Sequence, residues 1–234
     1  MKILAIDTAT EACSAALYID GEVSAHYQLA PREHSRLILK MIDDLLSAVN
    51  LPVRDLDAIA FGQGPGSFMG LRIAAGVVQG IAFAHDIPVI PVSTLKTIAQ
   101  RAYEQTQVPR ILVAIDARMD EVYWAAYYRH EQQWQLDAEE CVISPDKIQL
   151  PEILSASDQP WVGAGSGWQS YADRLLAGGD FILQDKLADC FPSAEVIAKL
   201  AVDEFRAGNT VCAAEAIPVY LRNDVAKKPK PVVL

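Results

Sequence analysis

Two stretches of this chain begin alike, and the echo restricts the fold more than any other feature. "LAIDTATEACSAALYI" (residues 4–19) and "VAIDARMDEVYWAAYY" (residues 113–128) superpose at a constant offset. They share Ala5/Ala114, Ile6/Ile115, Asp7/Asp116, Ala16/Ala125 and Tyr18/Tyr127. Each reads as an apolar strand ending in Asp, a short polar turn, and a second strand rich in small and aromatic residues. A diverged duplication follows, with the break near residues 104–110, a polar stretch with a proline. The expected organisation is an N-terminal lobe over 1–108, a C-terminal lobe over 109–220 and a basic, proline-containing tail over 221–234.

Within the first half, "EVSAHYQLA" alternates as a third strand. Leu37, Ile38, Met41, Ile42, Leu45, Leu46 and Val49 then recur at helical spacing, with Arg36, Lys40, Asp43 and Asp44 opposite. "LDAIAFG" is a strand, residues 61–80 a turn and helix, "IPVIPV" a strand, and a third helix starts near Thr94. With 234 residues, 51% of them apolar, both halves can bury real cores. Asp7 sits inside what would be a signal peptide's apolar region, which argues against secretion. The apolar run 73–84 is broken by Gln79 and two glycines and reads as too short to span a bilayer. Four dispersed cysteines form no metal or disulfide pattern and suit a reducing cytoplasm. A net charge of −10 argues against the chain alone holding a long stretch of nucleic acid.

The chemistry concentrates in "FGQGPGSFMGLRIAAGVVQG", residues 61–80. It lacks the Gly-Lys-Ser/Thr of a Walker loop and the flanking glycines of a nucleophile elbow. What remains is a glycine turn feeding a helix N-terminus, with Ser67 as its cap. An anion held by the same amides is the alternative. A vestigial nucleotide or anion site would then comprise Asp7, Gly64, Gly66, Ser67 and Arg72, with Arg118 from the second half. Ile73, Gly76, Val77, Gly80 and Ala84 share one face of the helix. Each interior glycine costs about 1 kcal/mol relative to alanine, so something must approach that face closely, either the chain's own sheet or a partner helix. "VGAGSGW" (residues 162–168) is a further tight turn. The four histidines show no metal-ligand spacing.

"ILAIDTATEACSAAL", "GQGPGSFMGLRIAAGVVQG", "PVSTL", "IDARMDEVYWA" and "PVYLRNDVA" together resemble the bacterial TsaB (YeaZ) family over essentially the whole chain. The resemblance implies the actin-like, sugar-kinase and heat-shock-ATPase α/β fold, with two lobes of mixed sheet flanked by helices, the second reduced. It also implies a paralogue of TsaD, which transfers threonylcarbamoyl to the adenosine beside the anticodon of tRNAs reading codons that begin with A. TsaD proteins carry a metal-binding His-x-x-x-His where this chain has "VSTLKTIA" (residues 92–99). The implied role is therefore a non-catalytic, cytoplasmic subunit with no catalytic residue, metal or cofactor. It would bind TsaD, join TsaE in the same complex, pair with itself when alone, and leave tRNA contact mainly to the complex. The implied interface uses Leu37, Met41 and Leu45 of the first helix with Ile73, Gly76, Val77, Gly80 and Ala84 of the second. The competing reading is an actin-fold ATPase or phosphotransferase built on Asp7 and the two glycine turns.

Overall fold

The computed structural model describes residues 1–131, 133–150, 159–178 and 181–222; the basic run at 227–231 lies outside them. Strands β1 (Lys2–Asp7), β2 (Ala12–Ile19) and β3 (Glu22–Leu29) form a meander, followed by helix α1 (His34–Ala48), β4 (Ala58–Gly64), α2 (Phe68–His85), β5 (Val89–Ser93) and α3 (Thr94–Thr106). The second half repeats the opening with β6 (Arg110–Arg118), β7 (Glu121–His130) and β8 (Gln133–Leu136), then adds β9 (Cys141–Ile143), β10 (Trp161–Ala164), short helices α4 (Gly167–Ser170) and α5 (Ala172–Ala177), β11 (Leu183–Leu187) and α6 (Ala194–Arg206).

The duplication is visible in the sheets. The first has order β3-β2-β1-β4-β5 and the second β8-β7-β6-β10-β11, with β9 added against β7. In both, the meander is antiparallel and the last two strands run parallel to the first. Both are mixed sheets flanked by helices. The constant offset, however, holds only through the first strand of each half. Asp7 pairs with Ser14 but Asp116 pairs with Val122, because the second hairpin is one residue shorter. Tyr127 therefore stands where Ile19 does, not Tyr18.

Covering on both faces explains why β1 and β4 read as nearly continuous apolar runs. Ile38, Met41, Ile42, Leu45 and Leu46 of α1 and Ala74, Ala75, Val78 and Ala82 of α2 pack on Leu4, Ile6, Ile59 and Phe61. The opposite face (Ile3, Ala5, Ala58, Ala60, Ile90) is covered by Ala194, Ile197, Ala198 and Ala201 of α6. That helix returns from the far end of the chain. Helix α3 buries Leu95, Ile98, Ala99 and Ala102 against Ile111 and Val113 of the second sheet, while also touching β4 and β5.

Candidate functional site

The glycine turn is built to approach the β1–β2 turn closely. A Cβ at Gly66 would collide with the Ala9 carbonyl, and one at Gly70 with that of Thr8. The Ser67 amide donates to the Ala9 carbonyl at 2.7 Å, and the Thr8 hydroxyl donates to the Gly70 carbonyl at 2.7 Å. Ser67 caps α2, its Oγ accepting from the Gly70 amide at 3.4 Å. The amide expected to face an anion at Ser67 is thus engaged within the lobe.

Asp7 and Asp116 each hold their own turn. Asp7 accepts from the Ala9 amide at 3.1 Å and Asp116 from the Arg118 amide at 2.8 Å. Their surroundings differ. Asp7 is fully buried; a Cβ on Gly62 would strike its Oδ2, and Ile197 of α6 lies against the same spot. That oxygen has no hydrogen-bond partner among the described residues. Burial pushes the carboxyl up to about 7, and the Ala9 amide only partly offsets this.

A cleft of about 600 Å³ separates the lobes. Its walls come from the β1–β2 turn, the start of α1, the glycine turn, the β6–β7 turn, the residues around Ser166 and the segment Val219–Arg222. Of the residues expected to form an anion site, Gly66, Ser67 and Arg118 line this cleft. The other three stand apart from its walls. Asp7 is sealed beneath, a Cβ on Gly64 would face Val219 O, and Arg72 lies with its guanidinium 3.9 Å above the Phe68 ring. His34 also lines the cleft; burial lowers its pKa, and its Nδ1 has no hydrogen-bond partner among the described residues. The β6–β7 hairpin is tight, with Arg118, Met119 and Asp120 all at positive φ (61°, 57°, 63°) without a glycine. Arg174 bonds Asp120 and Asp146, and Arg222 bonds the Ala117 and Arg118 carbonyls and Glu121.

The second candidate surface is the outside of α2. Among the described residues it is the one helix long and apolar enough to cross a membrane by length and composition; the shorter apolar run 73–84 lies within it. One side is spent on the first sheet. The other is bare: Gly76, Gly80 and Ala84 are exposed and Ile73 and Val77 half-buried. A Cβ on Gly76 or Gly80 would meet nothing within 4 Å. The two glycines therefore do not serve packing on the chain's own sheet. Phe83, 81% exposed, and Met69, 68% exposed, extend the same stripe. Sequence reading missed both, although Phe83 falls three residues after Gly80 on the same face. On α1 the expectation needs correcting in part. Leu37 is half-buried, but Met41 and Leu45, 9% and 5% exposed, turn into the chain's own core.

The family described as "TsaD: tRNA N6-adenosine threonylcarbamoyltransferase" matches residues 24–230. The tRNA threonylcarbamoyladenosine biosynthesis protein TsaB of Escherichia coli (strain K12) is 46% identical over 99% of this chain and 99% of its own length. Its namesake in Haemophilus influenzae is 39% identical over 99% and 98%. The structure of YeaZ from Pseudomonas aeruginosa superposes with a TM-score of 0.86 at 43% identity, covering 94% of this chain and 99% of its own.

Proposed function

The chain belongs to the TsaB (YeaZ) family of tRNA threonylcarbamoyladenosine biosynthesis proteins, and from that premise we propose that it is a non-catalytic, cytoplasmic subunit. It supports TsaD, with TsaE in the same assembly, by docking through the outer face of α2. The observation that carries this reading is the stripe of exposed Met69, Gly76, Gly80 and Phe83, flanked by the half-buried Ile73 and Val77, on a helix whose other side is already buried. An exposed contiguous apolar patch marks an interaction site, and glycines let a partner backbone approach to about 8 Å. The same stripe lets two copies pair when TsaD is absent. The sealed Asp7 weighs against an independent phosphotransferase, since a carboxylate beneath Gly62 and Ile197 reaches no ligand in the cleft.

Phe83→Glu and Gly80→Leu test the proposal. Both positions open to solvent, so the variants should remain folded with melting temperatures no lower than wild type. Each should lose TsaD on co-purification, with affinity at least about tenfold weaker, or roughly 1.4 kcal/mol. Cells relying on either variant should lack threonylcarbamoyladenosine in their tRNA by mass spectrometry. Undiminished TsaD binding would remove the docking role from this face.

A further inference from the structure

We propose that the rim of the interlobe cleft is this chain's own contact for the phosphodiester backbone of the tRNA, an inference that rests on the tRNA-modifying role above. The chain carries a net charge of −10, and Arg36, Arg54, Arg174, Arg206 and Arg222 are all bonded to carboxylates. Arg32, Arg72 and Arg101 have no carboxylate partner among the described residues; Arg101 is held by the Phe191 carbonyl and the Tyr27 ring, whereas Arg32 and Arg72 are placed about this cleft. Arg32 lines the cleft. Arg72 lies on Phe68 and reaches Tyr220 Oη at 3.4 Å, and both of those residues line it. Arg118 adds a third cation, its side chain 78% exposed although paired with Asp116 at 3.2 Å. Arg32 and Arg118 both sit at turns, in left-handed backbone (φ 69° and 61°). Arg118 and Arg222 are each matched by a carboxylate, Asp116 and Glu121, so the local excess is Arg32 and Arg72 against Glu11, a small positive excess on an acidic molecule.

The rim also offers a stacking surface. Phe68 and Tyr220 lie 5.0 Å apart with Arg72 over Phe68, the aromatic and arginine combination that accepts bases of a splayed strand. The unpaired cations come from separate elements around an open mouth rather than converging on its floor. That arrangement suits an extended polyanion better than one compact phosphate, and three contacts are few enough to agree with the chain's overall acidity.

The test uses the full-length chain, alone and mixed with TsaD, and a fluorescein-labelled transcript of a tRNA reading a codon that begins with A. Anisotropy is followed at several KCl concentrations. The variant Arg32→Glu/Arg72→Glu/Arg118→Glu should bind about tenfold or more weakly, and its slope of log affinity against log salt should be shallower by roughly two units. The control Arg54→Glu/Arg206→Glu should stay within about threefold, and TsaD co-purification should be retained. Unchanged affinity in the triple variant, or an equal loss in the control, overturns the proposal. So does displacement of the transcript by ATP, which would reassign the cleft to a free nucleotide, and so does absence of wild-type binding both alone and with TsaD. Loss of TsaD with RNA affinity intact would assign the rim to the protein interface instead. Failure of the docking proposal is read separately, on Phe83→Glu, which leaves the rim untouched.

Discussion

Asp7 shows how much one buried carboxyl contributes. Its ordinary pKa is 3.8 and its folded value about 7, because burial disfavours the charge and one amide cannot compensate. The folded state therefore holds the proton more tightly than the unfolded state. Asp7 costs nothing below about pH 4, and its penalty grows until the pH passes about 7, reaching roughly 4 kcal/mol at most. Asp7→Asn keeps the shape and the acceptor for Ala9 but never ionises. Urea unfolding at pH 5, 6.5 and 8 should show wild type losing stability as the pH rises. The variant should lack that slope, be the more stable at pH 8, and still support tRNA modification. An identical slope in both proteins would place the titrating group elsewhere, and abolished modification by a folded variant would give the carboxylate a direct role. The strand-end Asp was legible in the sequence as half of a repeated pattern. Its protonation was not, because Gly62 and Ile197, which seal it, belong to distant elements.

At the scale of elements, α2 separates two uses of glycine in one helix. Gly76 and Gly80 have open space where a Cβ would go, whereas Gly70 is pressed on the Thr8 carbonyl. Gly76→Ala and Gly80→Ala should each stabilise the isolated chain by about 1 kcal/mol, raising its melting temperature by roughly 2–4 °C. Gly70→Ala should lower it. Thermal melts at a dilution where the chain is monomeric check all three, and a fall for Gly80→Ala there would mean that the face is packed within the chain. The helix itself was readable from its cap and composition, and α1 from its apolar period. The faces were read less well. The family resemblance implies a partner-facing Met41 and Leu45, yet the apolar stripe of α1 is used up on the sheet and on the neighbouring α2. Phe83 is not legible from the small-residue pattern, which a large side chain on the same face does not extend. Strands β8 and β9 are four and three residues long, too short for periodicity to register. Helix α6 has an ordinary amphipathic pattern, which says that it covers a sheet but not that it covers the first.

For the whole molecule, the repeat made the architecture legible: once each half is a strand–Asp–turn–strand unit, two equivalent mixed sheets follow. The closure between them did not, since "PVYLRNDVA" has no period and no hydrophobic pattern. In the structure its described residues, 218–222, tie the lobes across the cleft. The Val219 amide donates to the Gln63 carbonyl at 2.8 Å, and Tyr220 packs on Phe68. Arg222 Nη1 donates to the Ala117 carbonyl at 2.9 Å, and Nη2 to the Arg118 carbonyl at 3.2 Å and to Glu121. One end grips the glycine turn of the first lobe and the other the strained hairpin of the second. Arg222→Ala leaves three acceptors without this donor. Because the cleft admits water, the cost should lie near the low end of about 1–3 kcal/mol. The informative measurement is hydrogen exchange, which reports local opening. If the segment couples the lobes, amides at residues 118–121 and at 63–67 should both exchange roughly tenfold faster in the variant, although only the first group touches Arg222. Acceleration confined to residues 118–122 would show a local clasp on the hairpin, with the first lobe indifferent to it.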